Sequence, residues 1–88
     1  RLEDFVQVNL ASTVGHDCVL GRFATISPGV NIGGRVTFGE GVFVGMNACF
    51  SQGLTIGEWS KISMGSAVAK SFPARKVIAG NPARVMGF

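Results

Sequence analysis

Five six-residue units follow one another between residues 14 and 43: VGHDCV, LGRFAT, ISPGVN, IGGRVT and FGEGVF. Each begins with an apolar residue, continues with Gly or Ser, and has a small or aliphatic residue at its fifth position. The fourth position is often Gly, Asn or Asp, residue types that tolerate the positive φ of a tight corner. The same period runs without insertion or deletion through twelve apolar first positions: Leu2, Val8, Val14, Leu20, Ile26, Ile32, Phe38, Val44, Phe50, Ile56, Ile62 and Val68.

This period predicts a short strand and a corner every six residues. A helix would place apolar residues three and four apart, and hairpin sheets would place turns every eight to twelve residues. Twelve successive matches at one spacing also disfavour a Gly-rich β-sandwich. A single unit cannot bury its inward residues, whereas stacked coils bury them in one continuous core. Three units would make a triangular coil of eighteen residues, although the period alone fixes neither the number three nor the handedness.

We therefore expect one all-β domain over residues 1–88, with the repeat in 2–67 and a C-terminal cap and basic tail in 68–88. The chain has 88 residues and a net charge of +3, and four of its eight basic residues lie near the end: Lys70, Arg75, Lys76 and Arg84. Such a tail attracts polyanions, including a phosphate-rich cofactor, or is simply a solvated surface. No base-reading motif points to nucleic acid, and no apolar run points to a membrane. Two cysteines suggest no disulfide framework, so we expect the cytoplasm.

The repeat and the end of the chain resemble the hexapeptide-repeat acyltransferases, which fold as a left-handed parallel β-helix. The segment Gly80-Asn81-Pro82-Ala83-Arg84 resembles the one that ends their coil. Residues 14–18 (VGHDC) and 26–29 (ISPG) are similar to a narrower group, the sialic-acid O-acetyltransferases and UDP-amino-sugar N-acetyltransferases. The resemblance implies a homotrimer that binds acetyl-CoA between neighbouring coils and acetylates an amine or hydroxyl, with a sugar or nucleotide sugar as the expected acceptor. N- and O-acetylation stay open.

The resemblance also assigns catalytic roles to His16 and Asp17. His16 is the only histidine, and a side chain that titrates near neutrality can remove a proton from a nucleophile that attacks a thioester. Its alternative is an ordinary exposed turn histidine. Asp17 would orient the imidazole and stabilise the imidazolium. Asp17 also suits a left-handed corner, and Arg35 lies one coil above it, so an ion pair between the two is the competing interpretation.

The eighteen-residue spacing predicts a column of His16, Gly34, Gln52 and Lys70 along one edge of the prism. The N–H of Gly34 is a possible oxyanion donor, or Gly34 is only a corner glycine. By resemblance, acetyl-CoA contacts are expected at four positions: Thr25, Gly34, Met46 and Met64. The two methionines, which stack with Pro28 in a second column, equally suit an interface between subunits.

Other features narrow the function classes. Phe23, Phe43 and Trp59 occupy outward positions, where large apolar groups usually mark an interface. We expect no metal site, because a catalytic zinc centre of three histidines cannot form around one histidine. An ice-binding face would need a wider threonine array than Thr37 and Thr55 provide. The remaining alternative to an enzyme is a non-catalytic solenoid that serves as a scaffold.

Overall fold

The structure, a computed structural model, describes residues 1–86. It contains thirteen short strands: β1 (Gln7–Val8), β2 (Thr13–Val14), β3 (Val19–Leu20), β4 (Thr25–Ile26), β5 (Asn31–Ile32), β6 (Thr37–Phe38), β7 (Phe43–Val44), β8 (Cys49–Phe50), β9 (Thr55–Ile56), β10 (Lys61–Ile62), β11 (Ala67–Val68), β12 (Val77–Gly80) and β13 (Ala83–Val85). Up to β11, the second residue of each strand is the apolar first residue of a six-residue unit. The strands therefore occur where the repeat predicts them.

The strands form three parallel sheets, which are the faces of a triangular coil. Face I has the order β1-β4-β7-β10-β12-β13, face II has β2-β5-β8-β11, and face III has β3-β6-β9. Within the repeat each strand pairs in parallel with the strand three units later, as Gln7 with Thr25 and Thr13 with Asn31. A coil is thus three units, or eighteen residues. The Cα trace measures 31 × 21 × 21 Å.

The corners form three vertical edges, which we name by their residues. The His16 edge (15–18, 33–36, 51–54) joins face II to face III, the aromatic edge (3–6, 21–24, 39–42, 57–60) joins face III to face I, and the methionine edge (9–12, 27–30, 45–48, 63–66) joins face I to face II. Every fourth position of the repeat from residue 5 to residue 65 has positive φ. Gly, Asn and Asp were expected there, yet Phe5, Phe23, Arg35 and Trp59 adopt the same conformation. The backbone hydrogen bonds between coils impose the corner on whatever residue occupies it.

The core is a single stack of inward side chains. The first-position residues from Leu20 to Val68 are all buried, and so are the fifth-position residues from Cys18 onward. Phe38 and Phe50 pack edge to face, with ring centroids 5.0 Å apart. The first three residues predicted to lie in the core are instead exposed: Leu2, Val8 and Val14 belong to the lowest coil. They point inward, but no coil in the described chain lies beneath them.

The hydroxyls at the polar fifth positions are hydrogen-bonded to carbonyl oxygens. The Ser12 hydroxyl donates to the Ser27 carbonyl at 2.7 Å, and the Ser60 hydroxyl donates to the Pro73 carbonyl at 3.1 Å. Within residues 1–86 no buried side-chain nitrogen or oxygen lacks a hydrogen-bond partner. The polar fifth positions therefore link one coil to the next at low cost in desolvation.

The top of the prism is closed by a shortened coil and a hairpin. After Val68 the spacing between paired residues falls from eighteen to sixteen, since Phe72 lies above Ile56 and Ile78 above Ile62. β12 then pairs with β13 in antiparallel fashion, which brings Ala83 against Gly80. The last two residues of the predicted tail 68–88 lie outside the described residues. Within residues 1–86 we find no helix that is long and apolar enough to span a membrane.

Candidate active site

The histidine and the aspartate of the His16 edge lie side by side on the surface. Their side chains are 68% and 80% exposed, and His16 Nδ1 lies 3.1 Å from Asp17 Oδ2. Side chains of adjacent strand residues point to opposite sides. Here the φ of 58° at Asp17 places the pair on a corner, where that alternation does not apply. Asp17 can therefore accept a hydrogen bond from Nδ1–H, which leaves Nε2 as the free nitrogen of the ring.

The competing partner of Asp17 does not reach it. Arg35 lies one coil above, and its backbone N–H donates to the His16 carbonyl at 2.8 Å. No ion pair joins Arg35 to Asp17 within 4.0 Å, and the carboxylate contacts the imidazole instead. Asp17 thus contacts the ring that an orienting role would require, and the competing ion pair with Arg35 is not formed.

Gly34 lies directly over the imidazole. A Cβ built on Gly34 would be 2.6 Å from His16 Nε2 and 3.0 Å from both ring carbons beside it. The Gly34 carbonyl accepts the Gly53 N–H at 2.9 Å. In the described part of the chain its own N–H has no acceptor. The predicted column is therefore present at its first two levels, and the glycine both makes room for the ring and offers an unused donor beside it.

The other three predicted cofactor contacts lie elsewhere on the same chain. Thr25 is half-buried on the outer side of face I, in β4. Met46 and Met64 are exposed and stack on the methionine edge, where the Gly65 N–H donates to the Met46 carbonyl at 2.8 Å. Face II separates this edge from the His16 edge. A single chain thus brings together His16, Asp17 and Gly34, but not Thr25, Met46 and Met64.

A cavity of about 440 Å³ lies at the top of the His16 edge. Ala69, Lys70, Pro82, Ala83 and Arg84 line it. The sequence shows Lys70 and Arg84 only as members of a basic tail, and the β12–β13 hairpin is what brings them together. Two cations at one opening suit a phosphate-bearing ligand.

The outward aromatic residues pack partly on one another. Phe5 and Phe23 stack with centroids 5.2 Å apart and an interplanar angle of 4°, and the Arg22 guanidinium lies 5.2 Å from the Phe23 centroid. The Trp59 indole lies against Gly41, in the space that a side chain there would fill. Phe43, on face I, remains nearly half exposed. Over residues 1–86 no group of three or more His, Cys, Asp or Glu side chains is placed to hold a metal ion.

The comparisons with known proteins agree with this architecture. The family model described as the hexapeptide repeat of succinyl-transferase matches residues 12–38 and 35–70. No curated relative matches the chain by sequence. Among solved structures, the acetyltransferase domain of PglB from Neisseria gonorrhoeae is 39% identical with a TM-score of 0.95, over 97% of this chain and 42% of that chain.

Two further solved structures are similar over almost the whole chain. A point mutant of perosamine N-acetyltransferase from Caulobacter crescentus, in complex with CoA and GDP-perosamine, is 30% identical with a TM-score of 0.95, over 97% of this chain and 40% of that one. Serine acetyltransferase (CysE) from Neisseria gonorrhoeae is 29% identical with a TM-score of 0.93, over 99% of this chain and 38% of that chain. This chain spans about two fifths of the length of these proteins. The predicted left-handed parallel β-helix is confirmed, and the chain belongs to the hexapeptide-repeat transferase family.

Proposed function

We propose that this chain is the acetyl-transferring domain of an acetyl-CoA-dependent acetyltransferase whose acceptor is a sugar or nucleotide sugar. The observation that carries the proposal is the position of the His16 ring, held between the Asp17 carboxylate and the Cα of Gly34. The perosamine N-acetyltransferase structure supports the acceptor class, because it holds CoA together with the nucleotide sugar GDP-perosamine. A scaffold would need neither an oriented imidazole nor an unused N–H beside it.

The chemistry follows from the three groups. His16 Nε2 accepts the proton of the acceptor's amine or hydroxyl as that group attacks the acetyl carbon. Asp17 holds the Nδ1–H and stabilises the positive charge that the ring acquires. The Gly34 N–H donates to the oxygen that becomes negative in the tetrahedral intermediate. When this intermediate collapses, the CoA thiolate leaves and the acetyl group stays on the acceptor.

We propose direct transfer, without an acyl-enzyme. A covalent route requires a nucleophile within hydrogen-bonding distance of a base. Cys18 is buried, and its thiol donates to the Gly33 carbonyl at 3.2 Å. Cys49 is exposed in β8 on face II, nearly two coils, or roughly 9 Å, above the level of His16. Both thiols are free, which supports our further proposal of a cytoplasmic location. We also propose that neither a membrane nor a nucleic acid is a partner.

The spacing of the residues along the prism fits an extended CoA molecule. Coils stack about 4.8 Å apart, so Lys70, three coils above His16 by sequence, lies roughly 14 Å higher. That rise is comparable with the length of a pantetheine arm between its sulfur and its first phosphate. With the thioester at His16, the phosphates would therefore meet Lys70 and Arg84 in the upper cavity. The residues present thus fit acetyl-CoA as a co-substrate.

In a homotrimer, a neighbouring copy could place its Thr25, Met46 and Met64 beside His16, which a single chain does not do. If the threefold axis runs parallel to the prism, a neighbour's residues keep their heights. Thr25 then lies about 2 Å above the level of His16, Met46 about 8 Å and Met64 about 13 Å, at one coil per 4.8 Å. These heights line the path from thioester to phosphate. We propose that the methionine edge and Thr25 of one copy face the His16 edge of the next, with exposed Phe43 contributing to the interface.

The first experiment tests the chemistry. We expect the chain to release thiol from acetyl-CoA in the presence of an amino sugar, and His16→Ala to lower kcat by roughly 10²–10⁴. CoA binding, followed by thermal shift, should remain. Full activity in His16→Ala, or no acetyl transfer by the wild-type chain under any acceptor tested, would refute the proposal.

The second experiment tests the shared site. His16→Ala and a Met46→Glu/Met64→Glu double variant should each be inactive, and mixing them by co-refolding should restore activity. In random trimers, about one site in four combines an intact His16 edge with an intact neighbouring methionine edge. The trimer is contradicted if the mixture stays inactive, or if the wild-type chain sediments as a monomer at micromolar concentration.

A further inference from the structure

Arg35 lies one coil above the candidate base, on the same edge of the prism. It follows Gly34 on the His16 edge, and its backbone N–H donates to the His16 carbonyl. Its side chain is exposed, and its φ is 58°. A non-glycine residue in this conformation costs about 1 kcal/mol relative to glycine, and Gly53 occupies the equivalent corner one coil above.

Most other bulky residues in such corners have a visible partner. Phe5 and Phe23 stack on each other, Trp59 covers Gly41, and Asp17 contacts His16. Within residues 1–86 the Arg35 guanidinium has neither an ion-pair partner nor a hydrogen-bond acceptor. Its partner therefore has to come from outside this chain, or it remains hydrated.

The chain's own carboxylates are poorly placed to neutralise Arg35. The protein has five acidic residues. Four of them lie on the aromatic edge, in corners 3–6, 39–42 and 57–60: Glu3, Asp4, Glu40 and Glu58. The fifth, Asp17, is engaged with His16. The middle of the His16 edge thus carries a guanidinium that no carboxylate of the described chain pairs with, on a residue about one coil, ~5 Å, above His16.

We infer that Arg35 selects acceptors that carry an anionic group, a carboxylate or a phosphate, next to the nucleophile. This inference rests on the proposed function. An acceptor ring that brings its amine or hydroxyl to His16 Nε2 spans about one coil spacing, so a substituent on it lies within reach of the guanidinium. A planar guanidinium binds a carboxylate or phosphate with two parallel hydrogen bonds. Lys70 does not compete for this group, because it lies at the upper cavity.

The test compares three amines of one sugar series: glucosamine, glucosamine 6-phosphate and 2-amino-2-deoxyglucuronate. The variants are Arg35→Gln and Arg35→Lys. Arg75→Gln is the matched control, because Arg75 is also an exposed arginine with positive φ whose N–H donates to the coil below, but it extends the aromatic edge. For each, kcat/KM is measured with saturating acetyl-CoA, and binding of each sugar to the CoA complex is measured by calorimetry.

We expect Arg35→Gln to lower kcat/KM for at least one anionic sugar by roughly 10–100-fold, as expected for a charge-assisted hydrogen-bonded pair, and to leave glucosamine unchanged. Arg35→Lys should recover part of the loss, and Arg75→Gln should lose nothing. Whether the phosphate or the carboxylate sugar responds identifies the anion. An equal loss for charged and neutral sugars, or no loss for any, overturns the inference.

The outcome is separable from that of the proposed function. The proposed function fails if the wild-type chain acetylates no acceptor tested, these three sugars included. Calorimetry then still decides the inference: charge-dependent binding that is lost in Arg35→Gln supports it, and equal binding of all three sugars refutes it. A loss of trimer in Arg35→Gln, seen by sedimentation, would place Arg35 in the subunit interface instead and also refute the inference.

Discussion

Replacing Gly34 by alanine should separate catalysis from stability. The added Cβ would lie 2.6 Å from His16 Nε2, whereas an ordinary carbon–nitrogen contact needs about 3.4 Å. The ring must therefore move by roughly 0.8 Å, and a displacement of about 1 Å in a catalytic group can cost on the order of 10² in rate. The movement itself is easy, because the obstructing atom is the end of an exposed side chain.

The expected result is a protein that folds and does not turn over. The φ of Gly34 is not positive, so alanine is allowed there, and loss of glycine's freedom in the unfolded state should stabilise the fold by about 0.4–1 kcal/mol. We expect Gly34→Ala to keep or slightly raise Tm while kcat falls by roughly 10²–10³. Thiol release from acetyl-CoA measures the rate, and thermal denaturation measures Tm.

Two controls isolate the cause. Gly53 lies on the same edge one coil higher, where a Cβ would meet open space but the φ is 77°. Gly53→Ala should therefore lower the free energy of unfolding by about 1 kcal/mol and leave activity unchanged. In the His16→Ala background, Gly34→Ala should cause little further loss, since the two act through one group. Wild-type kcat in Gly34→Ala, or additive losses in the double variant, would refute the assigned contact between ring and glycine.

Three further predictions concern other residues. Asp17→Asn should lower kcat by about 10–100-fold with an unchanged KM for acetyl-CoA, because it removes the negative charge that stabilises the imidazolium and can present an N–H to Nδ1 in place of an acceptor. An unchanged kcat would contradict this role. Phe38→Ala should lower the free energy of unfolding by about 3–5 kcal/mol, measured by denaturant titration, because Phe38 is buried and packs on Phe50. Phe43→Ala should lower it far less in the isolated coil, because Phe43 is exposed. Equal decreases in the two variants would contradict the assigned core. Ser60→Ala should lower the free energy of unfolding by about 1–3 kcal/mol, because it leaves the Lys76 N–H without its acceptor. Ser60→Thr keeps a hydroxyl and should restore part of that stability. An unchanged Tm in Ser60→Ala would contradict a stabilising role for this hydrogen bond.

The period of the sequence was sufficient to predict stacked coils around one core, but it left the number of units per coil and the handedness open. In a solenoid, neighbours in space are also neighbours at a fixed distance in sequence, so twelve apolar first positions predict twelve inward side chains. This rule failed only at Leu2, Val8 and Val14, which are exposed because burial needs a coil on both sides. The same rule placed Gly34 above His16, since both hold the third position of units eighteen residues apart.

The sequence could not decide the contacts that depend on side-chain direction or on non-repetitive chain. Whether Asp17 meets His16 or Arg35 depends on the orientation of a corner in three dimensions, and the coil geometry resolved it in favour of His16. The upper cavity forms only because the spacing shortens after Val68 and β12–β13 folds back, which brings Arg84 near Lys70. Likewise, the separation of Thr25, Met46 and Met64 from His16 appears only when three units close a coil and place them on different faces. A linear repeat determines which residues point inward, but it takes the closed triangle to determine which outward residues share an edge.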